Sequence, residues 1–179
     1  MNDILFTTIE KLHAPLRFGR VLDSGTGVNS LKWIQSLDTC STWTAITADT
    51  QMQSTILSDP GIAAGIRPND RLLVGNWMND QFCDSLGEYD TILADYLIGA
   101  VDGFSPFAQD LIIKRLKRHL SPQGRLYLVG MQPIPDHAAG PAEVITEVRR
   151  ARDACILLAG HRPYRCVAAP VVPLLSLCL

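Results

Sequence analysis

The sequence predicts an α/β fold: a doubly wound, mostly parallel sheet with helices on both faces. Three observations carry this expectation. Apolar runs recur along the chain as continuous rather than alternating stretches, as strands buried on both faces require. Segments with helical spacing separate them, the order that builds a parallel sheet. The composition, 47% hydrophobic and 19% charged over 179 residues, suits one globular domain with its own core.

Taken in order, RVLDSG (20–25) is a short apolar run closing on turn residues. From Asn29 to Leu37 the residues Leu31, Ile34 and Leu37 fall at helical intervals, with Asn29 or Ser30 as the N-cap. WTAITAD (43–49) is rich in β-formers and ends on an acid; TQMQSTILSD (50–59) is a helix stopped by Pro60-Gly61. RLLVGNW (71–77) and YDTILAD (89–95) are the third and fourth strands. Ser105-Pro106 predicts a helix start, with a helix running to about His119 and burying Phe107, Leu111, Ile112, Leu116 and Leu120. SPQG turns the chain into a fifth strand, GRLYLVGM (124–131). Gly140-Pro141 opens a last helix with Val144, Val148, Ala151, Cys155 and Leu158 on one face, stopped at Gly160.

The net charge of −2 gives no reason to expect nucleic-acid binding or attraction to an anionic membrane. The basic residues of IIKRLKRHL are read as a solvated helix face. Cys40, Cys83, Cys155, Cys166 and Cys178 form no CxxC pair and have no zinc-ligand spacing, so no metal is expected. MNDILFTTIEKLHAPLRF lacks the features of a secretory leader, and no window reaches the roughly 20 apolar residues of a membrane span. The expected location is therefore cytoplasmic.

In doubly wound sheets, ligands sit outside the carboxyl ends of the strands, where strand order reverses. Asp23, Asp49, Asn76 and Asp95 all fall at expected strand ends. After Asp23 come Gly25 and Gly27, a turn that lets backbone N–H groups approach a ligand; an unliganded tight turn would need the same glycines. Asp49, about 20 residues on, suits the hydroxyls of a ribose, and also suits a helix N-cap. Asp23 discriminates between cofactors. A dinucleotide would lay its pyrophosphate over the turn, where an acid repels it; S-adenosylmethionine instead brings an ammonium and a sulfonium.

With these residues together, the chain resembles the class I S-adenosylmethionine-dependent methyltransferases, whose fold is Rossmann-like. VLDSGTGVNS is similar to their first motif, although Asn29 stands where a third glycine is common. AITAD resembles the second-strand motif whose acid holds the ribose, GNW (75–77) sits where the family holds adenine, and ILADYL (92–97) resembles the motif lining the methionine end. The resemblance covers about residues 18–160 and implies a cofactor, S-adenosylmethionine, held by Asp23, Gly25, Gly27, Asp49, Thr50, Asn76, Trp77, Asp95 and Tyr96. ADYL lacks the Pro-Pro-aromatic sequence of the methyltransferases that modify amino groups of DNA bases and protein glutamine.

The family sheet ends with two further strands. HRPYRCVAAPVVPLLSLCL offers at most one, interrupted by Pro170 and Pro173. The expected organisation is a cofactor-binding domain over residues 1–160 and an apolar tail over 161–179, without the complete terminal hairpin. The tail, another subunit or a partner would cover the open edge of the fifth strand.

Three functions remain open. A methyltransferase would align an unidentified acceptor with the activated methyl, with no catalytic residue assigned; Asp95, His13 and His137 are the candidate bases. An NAD(P)-linked oxidoreductase would need a catalytic set such as Tyr-x-x-x-Lys, but Ala100 stands four residues after Tyr96. A non-catalytic cofactor-binding protein acting through a partner would need only the pocket.

Overall fold

The computed structural model describes residues 3–130 and 134–163. Five strands, β1 (Gly19–Asp23), β2 (Cys40–Thr47), β3 (Arg71–Val74), β4 (Tyr89–Asp95) and β5 (Leu120–Val129), form one sheet. All pairings are parallel and the order is β3-β2-β1-β4-β5. The chain winds outward from β1 to β3, then returns to β4 on the other side of β1. Strand order therefore reverses between β1 and β4, which opens a crevice at their carboxyl ends.

Successive side chains of a strand point to opposite faces, and the sheet has a core on each. Val21 of β1, Leu93 of β4, and Trp43 and Ala45 of β2 enter one core. Leu22, Ile92, Ala94 and Ile46 enter the other. The first core is covered by α1 (Ile4–His13), α2 (Val28–Gln35), α3 (Thr50–Ser58) and α4 (Pro60–Ala64), through residues such as Phe6, Leu31, Ile56 and Ile62. The second is covered by α5 (Asp80–Asp84), α6 (Leu97–Phe104) and α7 (Ile112–Lys117), through Cys83, Leu97, Val101, Ile112 and Leu116. The double winding expected from continuous apolar strands is present.

Local chemistry sets the helix ends. Asp59 closes α3 and caps α4, accepting from the N–H groups of Gly61 and Ile62, with Pro60 in the first turn where its missing N–H is harmless. Pro60 thus starts a second helix rather than only stopping the first. Asn79 caps α5 by accepting from Phe82 N–H at 3.2 Å.

The structure corrects several expected elements. Ser105 is the C-cap of α6, not the start of the next helix. Phe107 then takes a left-handed φ of 66°, and a 3-10 turn (Gln109–Leu111) precedes α7. Phe107 and Leu111 are consequently exposed, while Ile112 and Leu116 are fully buried as expected. SPQG lies within β5, where pairing jumps from Tyr89↔Leu120 to Thr91↔Arg125, an irregularity that absorbs the turn residues. The last helix, α8 (Glu143–Leu158), ends before Gly160, whose φ is 79°. Its expected apolar face is exposed at Val144, Val148 and Leu158, and it buries Thr146, Arg149 and Asp153 instead. Arg149 is held there by ion pairs to Asp153 and Asp136, both at 2.8 Å.

His13 is a core residue: its Nδ1 lies 2.8 Å from the Tyr127 hydroxyl and its ring stacks on Phe18. The tail residues Cys166, Pro170, Pro173 and Cys178, and Met131, lie outside the described residues. Among the described residues, no helix is long and apolar enough to cross a membrane.

Candidate functional site

At the carboxyl ends of β1, β2 and β3 lies a cavity of about 210 Å3. Ser24, Gly25 and Thr26 of the loop after β1 form one wall, and the end of β2 through Asp49 forms the next. Met52 of α3, the loop Gly75–Met78 after β3, and α6 complete it. Of the residues expected from sequence, Gly25, Asp49, Asn76 and Trp77 line this cavity. Asp23, Gly27, Thr50, Asp95 and Tyr96 are not among its lining residues.

The loop after β1 is fixed by its neighbours on both sides. Ser24 N–H donates to Leu93 O of β4 at 2.9 Å, and Thr26 N–H donates to Ile46 O of β2 at 2.8 Å. Gly25 packs against the start of α6, where a Cβ would come within 3.0 Å of the Leu97 side chain. Nothing lies within 4 Å of a Cβ built on Gly27, so the protein itself imposes no crowding there.

Asp23 ends β1 with no solvent exposure. Its Oδ2 accepts from the Ser30 hydroxyl at 2.7 Å, and the Ser30 oxygen accepts from Gly27 N–H at 3.1 Å. The carboxylate therefore acts on the glycine loop through Ser30. Burial pushes its pKa up to about 6, against the opposing pull of hydrogen bonds from Ser30 and Thr26.

Asp49 is half-buried at the N-cap of α3, where Oδ1 accepts from Gln51 N–H at 2.8 Å. One ionised carboxylate has several acceptor positions, so capping leaves capacity for a ligand's hydroxyls. Asn76 places Oδ1 2.8 Å from Met78 N–H, which sets its amide orientation, and donates from Nδ2 to Ser105 Oγ at 3.2 Å. Buried Trp77 donates its indole N–H to Ser24 O at 2.7 Å, joining the loop after β3 to the loop after β1. Gly75 allows this loop to close: a Cβ there would come within 2.2 Å of the Phe82 ring.

Asp95 ends β4, and burial, followed by the nearby Asp3 carboxylate at the start of α1, raises its pKa. Tyr96 follows at a left-handed φ of 49° with its ring about half exposed, and starts α6. Among the described residues no group of His, Cys, Asp and Glu is set to hold a metal ion.

The sequence reading did not identify Ser24, Met52 and the α6 wall (Leu97, Ala100, Val101, Phe104, Ser105). LIGAVDGF carries helical apolar spacing between its glycines, the signal that would have marked this helix.

No protein-family model matches the chain, and no curated protein matches it. Solved structures do. A Bacillus halodurans protein named as a candidate methyltransferase aligns with TM-score 0.58 at 14% identity, over 88% of this chain and 61% of that one. The N-terminal domain of EvdMO1 with SAH bound aligns with TM-score 0.55 at 13% identity, over 78% of this chain and 54% of that one. Precorrin 8W decarboxylase of Methanobacterium thermoautotrophicum aligns with TM-score 0.52 at 16% identity, over 87% of this chain and 70% of that one. The chain thus spans between about half and 70% of the length of these proteins. The likeness is one of fold, the Rossmann-like methyltransferase fold with a five-stranded parallel sheet.

Proposed function

We propose that the protein is an S-adenosylmethionine-dependent methyltransferase acting on an unidentified acceptor. One observation carries this reading. Asp49 is the only charged side chain among the described residues that line the cavity. A dinucleotide would bring two phosphate charges to a wall with no Lys, Arg or His, leaving only the backbone N–H groups of the glycine turn to meet them beside Asp49. A nucleoside without phosphates needs only hydrogen-bond acceptors and an apolar slot.

The residues present fit that group. Asp49 would hold the ribose hydroxyls, with Thr50 beside it. Asn76 and Trp77 would hold the base, against an apolar wall that includes Ile46 and Met52. Gly25 and Gly27 would let backbone approach the methionine portion, with Asp23 fixing the loop through Ser30. Asp95 and Tyr96 would lie at the acceptor entrance. The cofactor supplies a methyl group already activated by the sulfonium. The protein's task is alignment and exclusion of water, and alignment alone can contribute on the order of 7–11 kcal/mol. The neighbour EvdMO1 was solved with SAH bound, which supports the same cofactor here. Buried free thiols at Cys40 and Cys83 suit a reducing cytoplasm.

Calorimetry with S-adenosylhomocysteine and with NADH tests the reading. S-adenosylhomocysteine binds and NADH does not. Asp49→Ala weakens the complex by about 10- to 100-fold, the range for hydrogen bonds to a charged acceptor. Preferential NADH binding, or equal affinity in the two proteins, overturns it.

A further inference from the structure

The cavity, partly open to solvent, has a volume of about 210 Å3, less than the roughly 300–1,000 Å3 of small-molecule sites. A nucleoside-sized ligand would therefore either extend out through the open side or gain room as a wall gives, and the walls differ in how they are held. The loops after β1 and β3 are bonded into the sheet, through Ser24 N–H to Leu93 O, Thr26 N–H to Ile46 O, and Gly75 N–H to Thr47 O at 2.9 Å.

The α6 wall is bonded into the sheet where it starts, Tyr96 N–H to Val129 O at 3.0 Å, and rests on it through Leu97 and Val101. It and its C-cap supply Leu97, Ala100, Val101, Phe104 and Ser105 to the lining. Only Leu97 and Val101 of the helix are buried. Gly99 and Gly103 lie in its first and last turns, where an added Cβ would meet nothing within 4 Å. No close packing demands glycine there, and each weakens the helix relative to alanine. The helix is entered through left-handed Tyr96, fixed to β5, and left through Ser105, so any opening pivots on the Tyr96 end and swings the Ser105 end. The Gln109 amide donates to Asp102, tying α6 to the following turn rather than to the opposite wall. Across the cavity, Asn76 Nδ2 donates to Ser105 Oγ.

We propose that α6 is a lid, held closed in the free protein by the Asn76–Ser105 hydrogen bond, and that a nucleoside-bearing ligand opens it by taking over Asn76. The identity of that ligand rests on the methyltransferase reading; the latch itself does not.

Two variants test the lid. Ser105→Ala removes the latch, and the double variant Gly99→Ala, Gly103→Ala stiffens the helix. Hydrogen exchange over residues 97–105 of the ligand-free protein reads the latch, and stopped-flow tryptophan fluorescence reads association of S-adenosylhomocysteine. Ser105→Ala should accelerate both by about three- to tenfold, the factor one net hydrogen bond carries. The double alanine variant should slow both. Unchanged exchange in Ser105→Ala overturns the lid whatever the ligand does. Faster exchange with unchanged association also overturns it, because the helix then opens without gating entry. If exchange responds as expected but wild-type protein fails to bind the probe, the latch stands and the cofactor reading falls.

Discussion

Asp23 is the residue whose environment departs furthest from what its position in the sequence implies. A carboxylate at a strand end next to a glycine turn reads as a group facing a cation. The structure instead encloses it completely and places Ser30 between it and the loop. Its pKa rises from 3.8 to about 6, so the folded state holds this proton more tightly than the unfolded chain. Folding therefore carries no ionisation penalty from Asp23 below pH 4, and a penalty that grows as pH rises to 6, reaching roughly 3 kcal/mol. Burial lowers the pKa of His13 and His119, giving the opposite sign: their contribution is full above the unfolded value of 6.5 and is lost as pH falls below it. Urea denaturation from pH 7 to pH 4 of wild type and Asp23→Asn separates the two effects. Wild type should gain stability relative to the variant as pH falls, while the variant shows the histidine loss without that offset. Parallel curves would mean that Asp23 is not buried as an acid. Sequence shows that an acid is present; its depth depends on α2 folding back over the loop, a tertiary fact.

Among the elements, α5 and α7 show which contacts hold the second face. Arg115 reaches Asp80 at 2.6 Å and Arg118 reaches Asp84 at 3.0 Å. Both pairs are solvent-screened on at least one side, and such pairs contribute about 0–1 kcal/mol. Ile112 and Leu116 have no exposed surface, and truncating such residues to alanine costs about 2–5 kcal/mol. Arg118→Ala should therefore leave the denaturation midpoint almost unchanged, while Leu116→Ala lowers it strongly. A comparable loss from both would place the ion pairs, not the apolar stripe, at the centre of this packing. The strands, α2, α3 and the face of α7 were legible because each is a periodic or continuous apolar run. The site's α6 wall was not recognised, and Ser105-Pro106 reads locally as a helix start. Only the packing of Leu97 and Val101 onto the sheet shows that Ser105 closes one helix before the next begins. For α8 the expected face at Val144 and Val148 is exposed, because the Arg149 and Asp153 pair occupies the buried side. Hydrophobic spacing gives a face, but not the partner that covers it.

At the scale of the molecule, the order β3-β2-β1-β4-β5 places the carboxyl ends of all five strands on one side and opens the crevice between β1 and β4. Of the acids expected at strand ends, Asp49 lines the cavity while Asp23 and Asp95 do not; the continuous strands are what made the arrangement readable. The cavity's size and the state of α6 were not, since they depend on contacts between segments far apart in sequence, such as Asn76 with Ser105. The topology makes a prediction about where a ligand stabilises the protein. At a free concentration of 100 times its Kd, a ligand of the native state adds about 2.7 kcal/mol, which in a domain of this size raises Tm by roughly 5–10 °C. S-adenosylhomocysteine should produce such a shift and NADH should not. Hydrogen exchange should slow at Ser24–Gly27, Thr47–Asp49 and Gly75–Trp77, all at the carboxyl end. The amino ends of the same strands, at Gly19, Cys40 and Arg71, should change only through global stability. Protection centred at those amino ends would place the ligand on the wrong side of the sheet. It would remove Asp49 and Asn76 from the binding site together, since both stand at the other end of their strands.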